Sequence, residues 1–93
     1  MSQVLDQLWE TIESRKKDLP AGSYTAELFT LGVPRIARKV GEEGVETVVA
    51  ALTESDERLM SEMADLFYHC FVLLSAKGLT LDELQDELAR RFR

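Results

Sequence analysis

The apolar residues of the chain recur every three or four positions along almost its whole length, which is the period of an amphipathic helix. Helix-ending and helix-capping residues interrupt this period at 19–22, Gly32, Ser55 and 78–80. The pattern therefore predicts five helices, at about 3–18, 24–31, 34–53, 56–77 and 81–92. No segment alternates apolar and polar residues as a strand does, so we expect an all-α fold.

The third and fourth predicted helices form the centre of the expected fold. Only about two residues separate them, and such a short connection makes two helices antiparallel neighbours. Gly41 and Gly44 lie on the less acidic face of the third helix and predict the close approach of another helix, although a helix break at Gly41 is the alternative. Both helices carry apolar residues on more than one side, which predicts a homodimer in which two hairpins form a four-helix bundle.

Composition restricts the class of protein. A chain of 93 residues that is 45% apolar is expected to form one small domain over 1–93. The 17 acidic against 11 basic residues, with a net charge of −6, argue against a nucleic-acid partner. No run of about 18 apolar residues occurs, and the first residues lack the plan of a signal peptide, so we expect no membrane association. Cys70 is the one cysteine, which fits a reducing, cytoplasmic location.

Two pairs of acids carry the candidate chemistry. Glu43 and Glu46, and likewise Glu62 and Asp65, are three residues apart, so each pair shares one helix face. Glu46 lies about seven residues before the connection between the two helices and Glu62 about seven after it, so at 1.5 Å per residue the two pairs should sit at similar height. Like charges at this spacing destabilise an isolated helix by roughly 0.2–0.5 kcal/mol per pair. No lysine or arginine follows any of the four acids by four positions, so we expect them to lack local counter-charges.

A divalent cation would convert this repulsion into attraction. Ligands that are all oxygen favour Mg²⁺ or Mn²⁺, whereas zinc prefers cysteine and histidine. An ordinary solvated acidic surface has the same spacing, however, so the residues alone leave both interpretations open.

The pattern Glu43-x-x-Glu46 followed by Glu62-x-x-Asp65 resembles the ExxE…ExxD signature of the all-α nucleoside triphosphate pyrophosphohydrolases, the MazG-like superfamily. More narrowly, nearly the whole chain resembles the phosphoribosyl-ATP pyrophosphohydrolase family. The segments that carry this narrower resemblance are 22–26, 39–43, 64–66, 68–69 and 77–83. A cyclohydrolase domain, to which members of that family are often fused, does not occur in this sequence, so we expect a stand-alone form.

The resemblance implies an activity and a set of residues. The implied reaction is hydrolysis of phosphoribosyl-ATP to phosphoribosyl-AMP and pyrophosphate, the second step of histidine biosynthesis, with Mg²⁺ as cofactor or Mn²⁺ in its place. The implied metal ligands are Glu43, Glu46, Glu62 and Asp65. Glu42 is a candidate second ligand or water-orienting base, and Lys39 is a candidate phosphate contact. Glu42, Glu43 and Lys39 are therefore the candidate catalytic residues.

The candidate substrate contacts are Ser23, Tyr24, Thr25, Arg35, Lys39 and His69. Several of them have a plainer structural role as the alternative. Lys39 could simply pair with Glu43, Ser23 could simply cap a helix, and His69 could be a hydrogen-bonded structural histidine.

Two other functions compete with this one. The first is a sister enzyme of the MazG type that hydrolyses a standard or damaged nucleotide. The second is a non-enzymatic helical module whose acids are solvated and whose apolar faces bind a protein partner. No P-loop motif is present, so a phosphate cradle of that type is excluded for either function.

Overall fold

The computed structural model describes residues 3–92, and within that range it contains five α-helices and no β-strand. The helices are α1 (Gln3–Asp18), α2 (Tyr24–Leu31), α3 (Val33–Thr53), α4 (Asp56–Ala76) and α5 (Leu81–Arg90). The all-α prediction is confirmed, and α3 runs through Gly41 without a break. Residues 1, 2 and 93, which the expected domain 1–93 also includes, lie outside the described range.

The helix starts follow from capping side chains that the sequence displays. Ser23 and Ser55 each accept a hydrogen bond of 3.1 Å from the backbone N–H three residues later. Thr80 and Glu83 form a capping box at the start of α5, as their spacing predicts. These local bonds explain why the predicted and observed helix boundaries differ by no more than about two residues.

Gly32 joins α2 to α3 with no other residue between them. Its N–H donates to the carbonyl of Leu28 at the end of α2, and its own carbonyl accepts from the N–H of Ile36 in α3. Its φ of +96° lies in the left-handed region, where a side chain is disfavoured. A single glycine therefore sets the corner between the two helices.

The apolar core lies at the end of the α3–α4 hairpin that is remote from its connection. α1 and α2 pack against α4 here, and α2 also packs against α3, while α5 adds its first residue to the core. The buried core cluster consists of Ile12, Leu28, Ile36, Phe71, Val72 and Leu81. Burying these side chains against one another fixes where the two central helices stand relative to α1 and α2.

The other end of the hairpin has little cover within the described residues. Its exposed apolar side chains are Val45, Val48, Val49, Leu52, Met60 and Met63. A Cβ atom built on Gly41 or Gly44 would meet nothing within 4 Å, so the close helix approach expected at these glycines does not occur inside the described chain. This half of the hairpin thus presents apolar surface outward.

By length and composition alone, α4 could cross a membrane: it has 21 residues, and an 18-residue window within it has a mean hydropathy of 1.2. Its position indicates another role. It packs against α1, α2 and α3 and carries Glu62 and Asp65 near its middle, which identifies it as the central helix of the fold.

Candidate metal centre

Glu43 of α3 and Glu62 of α4 lie at the seam where these two helices meet, and they are only 5% and 7% exposed. The cause is helix register. Ile36, Glu43 and Ala50 are seven residues apart, so they occupy one buried stripe of α3. Glu62 and His69 occupy the equivalent stripe of α4. The sequence thus places carboxylates at two positions where a helix pair ordinarily buries aliphatic side chains.

Asp65 completes a group of three acids with these two glutamates. One carboxylate oxygen from each of Glu43, Glu62 and Asp65 lies within 4.8 Å of the other two. Glu46, the fourth expected ligand, is exposed at the rim of the group, where its carboxylate is close enough to perturb Glu62. The structure therefore brings together three of the four expected ligands and leaves the fourth beside them.

Two oxygen atoms of these glutamates are suited to bind a cation from solution. Oε1 of Glu43 and Oε1 of Glu62 are buried, and neither has a hydrogen-bond partner among the described residues. Buried polar atoms are nearly always paired, because an unpaired one loses its hydration without compensation. Two buried carboxylate oxygens and an adjacent aspartate form a hard, all-oxygen donor set of the kind that binds Mg²⁺ or Mn²⁺.

The electrostatics of Glu62 reflect the same crowding. Burial raises the pKa of the Glu62 carboxyl above its ordinary value, and the neighbouring carboxylates of Glu46 and Asp65 raise it further. Arg58 opposes the change, but the pKa remains raised. In the absence of a cation, the site therefore resists holding all of its carboxylates ionised.

The central acids do have local counter-charges, so the contrary expectation is wrong. Arg58 contacts the Glu62 carboxylate, and Lys39 Nζ lies 3.6 Å from Glu43 Oε2 and 3.5 Å from Glu42 Oε1. The bases precede their acids by one helical turn, in the less favourable order. The sequence argument considered such a preceding base only for the pair of Lys39 and Glu43. Arg58 is the residue it missed, and the signal was its position four residues before Glu62.

Lys39 is a cation held close to the acid group. Burial alone would lower its pKa, but the nearby Tyr24, Glu42 and Glu43 outweigh burial and leave the pKa raised. The Lys39–Glu43 pair that was the plainer alternative is present. Because the side chain remains about a quarter exposed, its ammonium group is also accessible from solvent.

His69 connects α4 to α2 through hydrogen bonds of defined direction. Its Nδ1 lies 2.8 Å from the carbonyl oxygen of Asp65, which can only accept, so Nδ1 carries the hydrogen. In the neutral ring Nε2 is then an acceptor, and the hydroxyl of Tyr24 donates to it at 3.0 Å. The structural role proposed as an alternative for His69 is therefore present, and through it Tyr24 is held in place.

The remaining candidates lie around this arrangement. The Ser23 side chain caps α2, and the Thr25 hydroxyl is hydrogen-bonded to that of Tyr68, so both are engaged within the protein. Arg35 is exposed on α3, one turn before Lys39. Glu42 and Glu46 lie on an open face of α3 that also includes Arg38, Gly41 and Val45. This solvent-open face reaches the acid group at Glu46.

Comparison with known proteins gives consistent results over the whole chain. The family described as "Phosphoribosyl-ATP pyrophosphohydrolase" matches residues 5–92. "Phosphoribosyl-ATP pyrophosphatase" of Metallosphaera sedula is 53% identical over 93 residues, which cover 100% of both chains. The proteins of the same name from Saccharolobus solfataricus and Saccharolobus islandicus are each 49% identical over 90 residues, or 97% of this chain and 96% of the relative.

Proposed function

The chain belongs to the phosphoribosyl-ATP pyrophosphohydrolase family, and we propose that it hydrolyses phosphoribosyl-ATP at the acid group between α3 and α4. The products are phosphoribosyl-AMP and pyrophosphate, in the second step of histidine biosynthesis. The location rests on the convergence of Glu43, Glu62 and Asp65, two of which also carry a buried carboxylate oxygen without a partner among the described residues.

The residues of this group would hold one or more Mg²⁺ ions, or Mn²⁺ in their place. Glu43 and Glu62 offer buried oxygens, Asp65 offers an exposed one, and Glu46 at the rim is the fourth ligand of the proposal. When bound, such an ion neutralises phosphate charge and makes a coordinated water more acidic. An acidic surface with mobile side chains would not hold the ion in this way, because ordering its carboxylates first would cost conformational entropy.

Lys39 and Glu42 have complementary roles in the proposal. Lys39 keeps its positive charge and is partly open to solvent, so it suits contact with a phosphate oxygen of the triphosphate. Glu42 is exposed beside it and can accept a hydrogen bond from the attacking water and then its proton. Hydrolysis breaks the bond between the α-phosphate and the oxygen that bridges to the β-phosphate, and pyrophosphate leaves.

Tyr24 is the proposed contact to the sugar. Its hydroxyl hydrogen is donated to His69, so the oxygen can only accept from a further partner. A ribose hydroxyl can donate a hydrogen bond to this oxygen, whereas an unprotonated phosphate has no hydrogen to donate. Ser23 and Thr25 would position the start of α2, and Arg35 would offer a positive charge to the phosphates.

A homodimer is the second part of the proposal. Val48 and Leu52 of α3 and Met60 of α4 are among the exposed apolar residues at the open end of the hairpin. Exposed apolar surface of this kind marks an interaction site, and pairing two such hairpins would bury it as a four-helix bundle. The partner helix that was expected near Gly41 and Gly44 could then come from the second copy.

Pyrophosphate release from phosphoribosyl-ATP, measured with Mg²⁺ present, tests the activity. Asp65→Asn should lower turnover at least about 100-fold while the helical circular dichroism stays unchanged. Asp86→Asn, which changes an exposed acid of α5, is the matched control and should keep full turnover.

Two results would contradict the proposal. Full activity of Asp65→Asn would remove the metal assignment. Pyrophosphate release from deoxynucleoside triphosphates but not from phosphoribosyl-ATP would favour the sister-enzyme alternative. The non-enzymatic alternative predicts no release from either substrate and only weak, salt-screened binding of Mg²⁺.

A further inference from the structure

Arg58 lies in the first turn of α4 and reaches from solvent onto the acid group. Its guanidinium contacts Oε2 of Glu62, and its Nε lies 3.6 Å from Oε1 of Glu54. The side chain of Arg58 is 53% exposed, whereas that of Glu62 is 9% exposed. The contact therefore joins a solvated cation to a carboxylate that is almost withdrawn from water.

The two oxygens of Glu62 have different surroundings. Oε2 is occupied by Arg58, while Oε1 is buried without a partner among the described residues. The same carboxylate contributes one oxygen to the group formed with Glu43 and Asp65. An ion attracted to this group would approach a carboxylate whose charge is already partly neutralised. The ion would also approach the positive charge of the Arg58 guanidinium, and two cations close together repel each other.

We propose that Arg58 is an internal counter-cation that competes with the divalent ion for Glu62. This inference rests on the proposed metal site. Arg58 stabilises the metal-free α3–α4 seam by compensating a buried negative charge, and for the same reason it lowers the affinity of the site for Mg²⁺ or Mn²⁺. Loading the site then requires the ion to displace or weaken the arginine contact.

The pair formed by Arg38 and Glu42 shows how the contact between Arg58 and Glu62 differs from an ordinary surface ion pair. Arg38 precedes Glu42 by four residues, as Arg58 precedes Glu62, and Arg38 Nε lies 3.5 Å from Glu42 Oε2. Both Arg38 and Glu42 are largely exposed, so water and salt screen their attraction. Glu42 also lies outside the group of three converging acids. Arg38 is therefore a matched control.

The opposite role for Arg58 is that it orients Glu62 for the ion, as partners of metal ligands often do. The two roles predict opposite signs. If Arg58 competes, removing its charge tightens ion binding; if it orients the ligand, removing it weakens binding.

The test is calorimetric titration of MnCl₂ into the full-length protein and its variants at fixed ionic strength. Arg58→Gln should bind Mn²⁺ roughly threefold to tenfold more tightly than the wild type. Arg58→Lys keeps the positive charge and should stay within about twofold, as should Arg38→Gln. In EDTA, Arg58→Gln should melt at a lower temperature than the wild type, and Mn²⁺ should raise its melting temperature by more.

The outcomes separate this inference from the proposed function. If the wild type binds no Mn²⁺, the proposed metal site itself is wrong, and the inference with it. If the wild type binds Mn²⁺ and Arg58→Gln binds it equally, Arg58 is only a surface pair and the inference alone fails. Weaker binding by Arg58→Gln would also overturn it, and would assign Arg58 the orienting role instead.

Discussion

Glu43 of α3 and Glu62 of α4 oppose each other across the seam of the helix hairpin, and each keeps one buried carboxylate oxygen that no described residue satisfies. A pair of aliphatic side chains here would give a more stable helix contact, because buried like charges repel and lose hydration. Residues that destabilise the fold where they stand, as these two glutamates do, are typical of a functional site.

Stability should therefore rise when Glu43 loses its charge. Glu43→Gln removes repulsion against Glu62 and Asp65, at the cost of the weak Lys39 contact, so we expect an unfolding free energy in EDTA about 1 kcal/mol higher than that of the wild type. Added Mg²⁺ should stabilise the wild type but not this variant. Denaturant unfolding with and without Mg²⁺ measures both effects.

Glu87→Gln provides the comparison for that variant. Glu87 contacts Arg90 and Arg91 on α5, at the surface, so its change should alter the free energy of unfolding by less than about 0.5 kcal/mol. If Glu43→Gln instead destabilises the protein in EDTA, the repulsion inferred at the seam is absent.

Metal binding should weaken on acidification at pH values where the Glu62 carboxyl, with its raised pKa, takes up a proton. The pKa of Glu62 is raised above its ordinary value of 4.5, and only the ionised form is a ligand. Protons therefore compete with the ion at pH values above 4.5, and binding there releases protons. Calorimetry in two buffers of different ionisation enthalpy counts these protons. If metal binding released no protons at any pH above 4.5, this result would contradict the raised pKa of Glu62.

The raised pKa of Glu62 also predicts how the stability of the metal-free protein depends on pH. Because the pKa of Glu62 is higher in the folded protein than in the unfolded chain, the folded state binds more protons in this window. The contribution of Glu62 to stability is then largest below pH 4.5 and falls as pH rises from 4.5 through the raised pKa. Glu62→Gln should remove this part of the pH dependence in EDTA.

Tyr24→Phe tests the proposed sugar contact. The variant keeps the ring but loses the oxygen that would accept from a ribose hydroxyl, so KM for phosphoribosyl-ATP should rise roughly fivefold to tenfold with kcat little changed. Steady-state kinetics measure both constants. Tyr68→Phe is the control, because that hydroxyl is hydrogen-bonded to Thr25 within the protein. An unchanged KM for Tyr24→Phe would remove Tyr24 from the substrate site.

Leu52→Glu tests the proposed dimer. Leu52 is 79% exposed at the open end of the hairpin, where a charge should disrupt an apolar interface without harming a single chain. Light scattering should show the wild type at about twice 10.5 kDa and the variant near 10.5 kDa. Leu88→Glu, on the exposed side of α5, should leave the mass unchanged. A wild type that is already monomeric would exclude the dimer.

Local sequence signals were sufficient for the helices and their ends. The helical period, the serines before α2 and α4, and the capping box of α5 act over a few neighbouring residues, so the sequence displays them directly. The same signals place the acids of α3 and α4 at matching heights. They do not reveal that Glu43 is buried while Glu46 stays exposed, because the rotation of each helix about its axis depends on how the pair packs.

Two further features lay beyond the sequence argument for different reasons. The Arg58 contact was missed because a base one turn before its acid was considered for Lys39 and Glu43 but not for Arg58 and Glu62. The close helix approach expected at Gly41 and Gly44 is absent from the described chain. Glycines in a helix indicate where a second helix could approach, but they do not specify whether that helix belongs to the same chain.

The corner at Gly32 has a practical consequence for redesign. It alone separates the helix that begins with Tyr24 from the helix that carries Lys39, and what bars a side chain there is its φ, not a lack of room, since the nearest atom to an added Cβ would be 3.9 Å away. Gly32 is therefore the joint to change in a redesign for a bulkier nucleotide, because residues inserted after it would shift Tyr24 relative to Lys39 without altering any acid.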